Sequence, residues 1–396
     1  MDIIVKIVHI CLANFYVDNY SYQENMLPKF HKMQGHSVEI IASLETFDEN
    51  GRHSYLANAK VYKNEYGIKV TRLKYRNPVI FNKKFKQYVG TYDALEGATP
   101  DVLFIHGCQF LDLMVMRKYL RKHKTVQVFL DNHTDPANSA TNWLSKNILH
   151  KVIWKRQVQL MEPYIRKFYG VLPARVEFLI NMYGLPRKKC ELLVMGADDE
   201  SVRTAAKPEV SEMIREKHHI RKDDFLIVTG GKIDTYKKQI LCLMEAVQNM
   251  NNDKIKLIVF GSVVEHMQEE VNRRADGTLV QYIGWVQSED TYPYFAASDL
   301  VVFPCGHSVF WEQVVAQGIP MLCKYWEGAT HVDIGGNVKF LRNDTVEETQ
   351  EIIELLISKP EEYESMKNIA ISGNRSEFFY SHIARKSLGK GCGTNK

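Results

Sequence analysis

The sequence predicts an α/β protein with two doubly wound domains that face each other across a cleft. Short, strongly apolar strand patterns alternate with helical patterns, which is typical of parallel sheets covered by helices on both faces. This alternation restarts after the polar stretch 197–212. The chain has 396 residues, and at roughly 150 residues per domain this length is enough for two domains.

The first half opens with a strand pattern. The initial run MDIIVKIVHICLAN lacks the basic segment and the small-residue cleavage site of a signal peptide, so it predicts a buried first strand. Helical patterns follow at 24–34 and 113–123. The predicted strands of this half are 6–13, 36–43, 68–75, 102–107, 125–133, 169–175 and 190–196.

The second half repeats the alternation and ends in three amphipathic helices. Its predicted strands are 225–231, 254–261, 280–286, 299–304 and 320–325, with helical patterns at 238–250, 264–275 and 290–298. We therefore expect a first domain at 1–197, a linker at 198–212 and a second domain at 213–374. The last helix, about 375–390, is expected to pack back on the first domain.

The composition is that of a globular protein in a reducing compartment. Hydrophobic residues make up 45% and charged residues 25% of the chain. No apolar run approaches the roughly 18 residues of a transmembrane helix. The seven cysteines are scattered and form no CxxC pair, which favours a cytoplasmic location and argues against structural zinc.

Positive charge is concentrated in the first half. The net charge is +4, yet residues 1–170 carry about nine more basic than acidic groups. Basic clusters lie at 74–86, 117–124 and 145–156. They are either solvated surface or an electropositive face for an anionic membrane or a phosphate-bearing acceptor. No nucleic-acid-binding motif accompanies them, so nucleic acid is not expected as a partner.

The loop after the first strand of the second domain combines glycine with lysine. In GGKIDTYKK, residues 230–238, Gly231 allows a ligand to approach the backbone, and Lys232 and Lys237 supply point charges suited to phosphate. Fixed cations here would stabilise the charge that develops on a leaving nucleoside diphosphate. The alternative is a solvated loop. Neither half has GxGxxG after its first strand, so no nicotinamide or flavin dinucleotide is expected.

A second polar group follows the strand LVVFP. The sequence predicts a helix that begins near Val309 or Phe310, with Ser308 as its N-cap. A helix N-terminus binds pyrophosphate, and His307 and Ser308 would add side-chain donors. Glu312, one turn into the helix, would accept hydrogen bonds from both ribose hydroxyls. Alternatively, Glu312 only complements the helix dipole.

These motifs in combination resemble the family 4 glycosyltransferases, which have the GT-B fold of two Rossmann-like domains. The matching motifs are the glycine–lysine loop, the strand end GWV, the segment YFAASDLVVFP and the helix WEQVVAQGIP. The resemblance implies that Lys232 and Lys237 bind the diphosphate of the donor and that Glu312 binds its ribose. Backbone groups and an indole would be offered to the base by Gly284, Trp285 and Val286.

The first half resembles the same family more loosely. Residues 17–41 resemble its first loop and helix, which implies an acceptor side formed by Tyr22, Gln23, Glu24 and His106. The segment FLDNHTD resembles the strand end whose histidine contacts the donor sugar, so that catalytic role falls on His133. The motifs YQEN and HSVFWEQ resemble those of transferases that build capsular and other surface polysaccharides.

One departure from the family concerns the donor sugar. The family has a glutamate eight residues before the one that binds ribose, and Pro304 occupies that position here. The residues CGHS fill a shortened loop, so recognition of the sugar is not carried over. His307 and Ser308 before the helix also resemble inverting GT-B enzymes, so a retaining mechanism rests on the family alone.

The resemblance implies a metal-independent, retaining glycosyltransferase without a cofactor. Its donor would be a nucleotide-diphosphate sugar, with UDP expected rather than GDP, and Lys237 and His133 would carry the chemistry. The diphosphate leaving from the same face would help to deprotonate the acceptor hydroxyl. The acceptor would be a saccharide or a lipid-linked saccharide, reached by peripheral contact with the inner face of the cell membrane.

Three other functions stay open. A GT-B nucleotide-sugar epimerase would need acid/base groups, for which His106, His133 and Asp135 are candidates. A two-domain binding protein would close on a small ligand. A degenerate transferase would persist as an assembly partner, and Pro304 in place of an acid fits that alternative.

Overall fold

The structure, a computed structural model, describes residues 4–48, 53–76 and 85–389. The chain divides into two compact units. Unit 1 comprises Met1–Val194 with Tyr380–Lys396, and unit 2 comprises Met195–Phe379. Residues 77–84 of the basic stretch 74–86 lie outside the described residues, as does Cys392.

Unit 1 contains an eight-stranded sheet among its described residues. Its order is β10-β9-β8-β7-β1-β2-β6-β5, and every neighbouring pair is parallel except β5 with β6. The strands are β1 (Lys6–Cys11), β2 (Ser37–Ala42), β5 (Val61–Lys63), β6 (Lys69–Arg72), β7 (Val102–His106), β8 (Gln127–Asn132), β9 (Ile165–Gly170) and β10 (Cys190–Leu192). A separate antiparallel hairpin pairs β3 (Glu45–Phe47) with β4 (His53–Tyr55).

Helices flank this sheet, and the last one comes from the end of the chain. The helices of unit 1 are α1 (Gln23–Met33), α2 (Thr91–Ala98), α3 (Leu113–Lys122), a π-helix (Ser145–Trp154) continued by α4 (Lys155–Met161), α5 (Pro173–Asn181) and the C-terminal helix Tyr380–Ser387. The C-terminal helix packs on α1, and Gln34 donates a hydrogen bond to the carbonyl of Ser381 at 2.8 Å.

Unit 2 contains a six-stranded sheet that is parallel throughout. Its order is β13-β12-β11-β14-β15-β16. The strands are β11 (Phe225–Gly230), β12 (Ile255–Phe260), β13 (Val280–Tyr282), β14 (Leu300–Phe303), β15 (Met321–Lys324) and β16 (Val338–Leu341). The helices are α6 (Asp199–Ala205), α7 (Pro208–Lys217), α8 (Gln239–Asn249), α9 (Gln268–Arg274), α10 (Thr291–Ala297), α11 (Phe310–Gln317), α12 (Val346–Ser358) and α13 (Pro360–Ser372).

Each sheet has one point where the strand order reverses. In unit 1 the reversal lies between β1 and β7, and in unit 2 between β11 and β14. The chain leaves two such neighbouring strands in opposite directions, which opens a crevice beyond their carboxyl ends where doubly wound sheets bind ligands. The two reversal points therefore locate the candidate sites.

The structure corrects three details of the sequence-based expectations. Residues 198–212 are not an open linker but form α6 and the start of α7, because Asp198 caps α6 through the N–H groups of Glu200 and Ser201 and Pro208 starts α7. The strand expected at 169–175 lies earlier, at Ile165–Gly170, and α5 follows it. Strands β5 and β16 of the two sheets were missed.

Candidate functional site

The reversal point of unit 2 joins the lysine loop to the turn before α11. The loop follows β11, and the turn follows the neighbouring strand β14. The thiol of Cys305 donates to the carbonyl oxygen of Lys237 at 3.2 Å, so the two segments are in contact. The structure therefore brings together the two motifs that the sequence placed on one sheet.

Three glycines shape the adjacent strand ends. Gly231, Gly261 and Gly284 follow β11, β12 and β13, with φ angles of 131°, 133° and 78°. A Cβ atom on Gly261 would lie 1.8 Å from the carbonyl oxygen of Gly231, and the N–H of Gly261 donates to Gly284 at 2.7 Å. Such positive φ angles and close approach require glycine. Gly261 was missed as a site residue, although its place at the end of a strand pattern was visible in the sequence.

Two of the three lysines of the loop, Lys232 and Lys237, differ in environment. The Lys232 side chain is 61% exposed, with Nζ 3.5 Å from a carboxylate oxygen of Asp234. Lys237 is half-buried, and its backbone N–H donates to the carbonyl of Asp234 at 2.8 Å. Beyond β13, Trp285 is 67% exposed and Val286 is half-buried. The loop thus carries three lysines, and an exposed indole follows β13 two strands away in the same sheet.

Helix α11 begins at Phe310, and Val309 before it already has helical φ and ψ angles of −56° and −20°. As expected of an N-cap, the Ser308 hydroxyl accepts from the N–H of Phe310, at a long 3.4 Å. Ser308 also accepts the N–H of Trp311 through its carbonyl. The predicted start of the helix near Val309 or Phe310 is confirmed, since α11 begins at Phe310.

Glu312 forms a buried cluster with two histidines. One carboxylate oxygen, Oε1, accepts from Nε2 of His307 at 2.8 Å and from Nε2 of His331 at 2.9 Å. Burial opposes ionisation of this fully buried carboxyl, but His307 and His331 outweigh burial and lower the pKa of Glu312 to about 2. His331 lies in the short helical turn Glu327–Val332 and was missed, because nineteen residues separate it from Glu312.

The same cluster leaves two polar atoms without partners. The second oxygen of Glu312, Oε2, and Nδ1 of His331 are buried and have no hydrogen-bond partner among the described residues. An unpaired buried carboxylate oxygen costs about 1–3 kcal/mol or more, so such an atom calls for a partner. One ligand atom each from His307, Glu312 and His331 lies within 4.8 Å of the others, so this set could also hold a metal ion.

At the reversal point of unit 1, α1 follows β1, and the first turn of this helix is buried. Gln23, Glu24 and Asn25 are at most 5% exposed, whereas Tyr22, the N-cap residue, is 39% exposed. Both side-chain polar atoms of Gln23 are buried without a hydrogen-bond partner among the described residues. Asn25 donates to the carbonyl of Val17 at 2.7 Å. Of the residues expected on the acceptor side, Gln23 and Glu24 are therefore buried, and Tyr22 lies at the surface.

His133 lies between two carboxylates. Its Nε2 is 3.4 Å from Oδ1 of Asp131 and 4.0 Å from Oε1 of Glu24. These are ion-pair distances without good hydrogen-bond geometry. Burial acts to lower the pKa of His133, but Asp131 and Glu24 outweigh it and raise the pKa above its ordinary value. The structure thus favours a protonated His133 in contact with buried acids.

His106 is placed differently from the expected acceptor contact. It is fully buried, its Nδ1 lies 2.8 Å from Oδ2 of Asp131, and its Nε2 lies 3.0 Å from Nδ1 of His9. Nε2 of His9 in turn lies 3.0 Å from Nδ1 of His31. Both ring nitrogens of His106 are engaged inside the core, so it supports Asp131 instead of facing a ligand. No local pattern in the sequence pointed to His9 or His31.

Asp135, a candidate acid/base group, has structural partners. It is 1% exposed, and its carboxylate pairs with Nε of Arg175 at 3.0 Å. It also accepts from the N–H groups of Ala137 and Asn138 at 2.8 and 3.0 Å. These contacts stabilise the turn after β8. They explain why Asp135 is buried and charged without assigning it a chemical role.

One family model matches the sequence, over part of unit 2. Residues 224–358 match the model described as glycosyl transferases group 1. These residues include all six strands of the sheet, the lysine loop and the Glu312 cluster. No curated protein matches the sequence. Residues 224–358 are thus similar to the group 1 glycosyl transferases, and this match supports the enzyme class expected from the sequence, a glycosyltransferase.

Solved structures share the fold over nearly the whole chain. A glycosyltransferase from Rickettsia africae has a TM-score of 0.66 at 13% identity, covering 98% of this chain and 97% of its own. HepE from Anabaena in complex with UDP has a TM-score of 0.67 at 13% identity, covering 96% and 98%. A UDP-GlcNAc 2-epimerase from Neisseria meningitidis has a TM-score of 0.62 at 12% identity, covering 97% and 99%. The predicted fold class, two Rossmann-like α/β units of the GT-B type, is confirmed.

Proposed function

We propose that this chain, whose residues 224–358 match the group 1 glycosyl transferases, moves a sugar from a nucleotide-diphosphate sugar to a saccharide or lipid-linked acceptor. One observation carries the proposal. At the reversal point of the sheet in unit 2, a loop with three lysines contacts the turn that leads into α11. Cations beside a helix N-terminus suit a diphosphate, which is both the anchor of the donor and its leaving group.

The diphosphate is assigned to the lysine loop and the helix start. Lys232 and Lys237 supply positive charge, and Gly231 lets the phosphates approach the backbone. His307 and Ser308 precede the first turn of α11, where backbone N–H groups are unpaired. These groups stabilise charge on the leaving phosphate more than in the bound donor, which is the condition for catalysis. No metal ion is required in this scheme.

The ribose is assigned to Glu312. Its unpartnered Oε2 is a buried carboxylate oxygen that accepts hydrogen bonds, and its Oε1 is held in place by His307 and His331. A low pKa keeps the carboxylate ionised at neutral pH, which strengthens a hydrogen bond from a sugar hydroxyl. The base is assigned to Gly284, Trp285 and Val286, where the indole is exposed. The proposed nucleotide of the donor is UDP, which is bound in the Anabaena structure and, as UDP-GlcNAc, in the Neisseria structure.

The transfer itself is proposed to retain the anomeric configuration. The bond between the anomeric carbon and the phosphate oxygen breaks, and the acceptor oxygen bonds to that carbon from the same face. The acceptor proton passes to the leaving diphosphate, so no enzyme nucleophile is needed. Lys237 stabilises the leaving group, and His133, with its raised pKa, contacts the reacting sugar as a donor.

The acceptor is proposed to bind unit 1. The transfer is proposed to serve the synthesis of a surface polysaccharide. Tyr22 lies in a cluster of aromatic rings, with ring centroids 6.4 Å from Phe15 and 5.3 Å from Tyr20. Phe47 on the hairpin packs on both Phe15 and Tyr20, at 5.4 and 5.3 Å. Flat rings with one exposed face suit the apolar face of a sugar ring. A lipid-linked acceptor would bring this unit to the inner face of the cell membrane.

An epimerase is the second candidate, since two solved epimerases share the fold. It requires acid/base groups around the sugar. Of its three candidate groups, His106 is bonded inside the core and Asp135 is paired with Arg175, which leaves His133. A chain without turnover would be a binding protein or a degenerate assembly partner.

Nucleotide binding is the first test of the proposal. We would measure thermal stabilisation by UDP, GDP, ADP and NAD, with and without EDTA, for the wild type, Lys237→Ala and Glu312→Gln. The control is Lys222→Ala, an exposed lysine elsewhere in unit 2. A ligand that binds only the folded state raises its stability by mass action, so the expected result is a UDP shift retained in EDTA and in the control but lost in both variants.

Two outcomes would contradict the assignment. A shift with NAD alone, or a UDP shift that both variants keep, would place the nucleotide elsewhere. The product then separates the enzymes: a transferase consumes UDP-sugar and glycosylates an added saccharide, whereas an epimerase converts the sugar nucleotide alone.

A further inference from the structure

We propose that the segment Trp143–Leu160 of unit 1 docks on an anionic lipid surface. The segment consists of the helical residues Trp143 and Leu144, the π-helix Ser145–Trp154 and most of α4. The inference rests on the peripheral membrane attachment proposed above and names the surface responsible for it.

The outer face of this segment is apolar and exposed. Trp143 is 71% exposed, Leu144 52%, Ile148 39% and Val152 55%. These four residues form the docking face. The last three recur every four residues, so they follow one another along one side of the helix. Together with Leu160, they make up five of the fourteen exposed large hydrophobic side chains among the described residues.

The inner face of the same segment already holds it in place. His150, Trp154 and Val158 are at most 3% exposed. Trp154 and Val158 belong to the hydrophobic core of unit 1, and Leu149 and Ile153 pack against it. The helix therefore does not need its outer apolar residues to fold. Exposed apolar residues in a row along a helix that is anchored by its opposite face mark an interaction site.

The charges that flank the docking face select the partner. Residues 136–161 contain four basic residues and no acidic one: Lys146, Lys151, Lys155 and Arg156. Lys146, Lys151 and Arg156 are exposed. A helix with Trp, Leu and Ile on one side and Lys and Arg beside them lies in the boundary of a bilayer, because it buries apolar surface while the cations meet anionic headgroups.

The charge of the whole unit points the same way. The residues of unit 1 include 32 Lys and Arg against 17 Asp and Glu, whereas those of unit 2 include 19 against 30. A second copy docking through the same face would bring two basic segments together, which costs energy. An anionic lipid surface removes this repulsion. Among the described residues, no helix has the length and apolar character needed to cross a membrane, so docking would be interfacial.

The test is binding to vesicles of phosphatidylglycerol and phosphatidylcholine, compared with phosphatidylcholine alone. We would measure co-sedimentation and tryptophan fluorescence of the full chain and of a variant with Trp143→Ser, Ile148→Ser and Val152→Ser. A second variant carries Lys146→Ala and Lys151→Ala. The matched control carries Met213→Ser and Ile371→Ser, two exposed apolar residues of unit 2.

The expected result is binding to the anionic vesicles that is about tenfold weaker, or more, in both segment variants and unchanged in the control. High salt should weaken binding of the wild type. No binding by the wild type, equal binding to phosphatidylcholine, or equal loss in the control would each overturn the proposal. Dimerisation without vesicle binding, abolished by the apolar variant, would assign the face to a second copy and overturn it as well.

A UDP thermal shift measured on the same samples separates this proposal from the proposed function. Segment variants that keep the wild-type UDP shift while losing vesicle binding are folded and support the docking face. Vesicle binding by a protein that no nucleotide stabilises would sustain the docking face while removing the support for a transferase.

Discussion

The Nδ1 atom of His106 lies 2.8 Å from Oδ2 of Asp131, and both side chains are fully buried. Asp131 also accepts the N–H of Gly107 at 2.9 Å. Burial opposes its ionisation, but His106 and His133 outweigh burial and hold the pKa of Asp131 well below its usual range. Asp131 is therefore a buried carboxylate whose charge must be balanced by a neighbouring ring.

The hydrogen bonds beyond His106 require an extra proton. His106, His9 and His31 form a chain that starts at a carboxylate and ends where Nε2 of His31 lies 3.0 Å from the carbonyl of Ala384. A carboxylate and a carbonyl both accept, so the four bonds need four ring N–H groups. Three neutral imidazoles supply only three. The fourth hydrogen comes either from an imidazolium, whose charge would balance Asp131, or from the hydroxyl of Ser387 donating to Nε2 of His31 in place of the bond to Ala384.

The hydroxyl of Ser387 is the alternative source of that hydrogen. It lies 2.8 Å from the carbonyl oxygen of Ala384 and 3.0 Å from Nε2 of His31, and its single hydrogen donates to one of the two. Burial, followed by the charges of His31 and His106, lowers the pKa of His9 well below its ordinary value. His9 is therefore expected to be neutral.

Removing the charge of Asp131 should destabilise the fold. We expect Asp131→Asn to lower the free energy of unfolding by about 3 kcal/mol, because the rings of His106 and His133 lose the carboxylate that they contact. Nitrogen-15 NMR at pH 7 should show a neutral His9 ring, and a charged ring at His31 or His106 would identify an imidazolium as the source of the fourth hydrogen. The exposed control Asp93→Asn should change stability by less than about 0.5 kcal/mol. A charged His9 ring, or an Asp131→Asn variant as stable as the wild type, would contradict these expectations.

The Glu312 cluster should make stability depend on acid pH. The pKa of Glu312 is lowered from an ordinary 4.5 to about 2, so its contribution is complete above the unfolded pKa and is lost as pH falls from about 5 towards 2. The full difference corresponds to about 3 kcal/mol. Urea unfolding at pH 7, 5 and 4 should show a smaller loss of stability for Glu312→Gln than for the wild type. Parallel losses would mean that Glu312 is not ionised in the folded protein.

Gly261 should tolerate no side chain. A Cβ atom there would lie 1.8 Å from the carbonyl oxygen of Gly231, at a φ of 133°. We expect Gly261→Ala to cost about 3 kcal/mol and to abolish the UDP shift, because the lysine loop must move. The control Gly277→Ala also has positive φ, at 77°, but meets nothing within 4 Å, so it should cost about 1 kcal/mol and leave the UDP shift intact. If Gly261→Ala and Gly277→Ala had equal effects, backbone strain from the positive φ, and not the contact with Gly231, would explain the loss of stability.

Chelation should leave the nucleotide site intact. His307 and His331 each place Nε2 at hydrogen-bonding distance from Oε1 of Glu312, at 2.8 and 2.9 Å, which satisfies this oxygen through N–H groups instead of a shared ion. We therefore expect no stoichiometric zinc by mass spectrometry and an unchanged UDP shift after EDTA. One bound zinc per chain, lost together with the UDP shift and absent from His331→Ala, would assign the cluster to a metal.

Much of the fold could be predicted from local sequence. Twelve predicted strands correspond to strands of the two sheets, because continuous apolar runs between helical patterns are a local signal of buried parallel strands. The lysine loop and the polar start of α11 could also be predicted, since both motifs lie within a few residues of a strand end. The helices in 198–212 were missed because Asp198 and Pro208 initiate them in a stretch whose polar composition resembles a linker.

The sequence by itself determined which segments form strands, which loops follow them and which charges those loops carry, because these depend on neighbours along the chain. Only the tertiary structure decided that His331 shares the carboxylate of Glu312, that Gly261 meets Gly231, and that His9 and His31 continue the chain from His106. These partners come from different strands and helices. Their contacts arise when the sheet order and strand register are set, and no local pattern encodes that order.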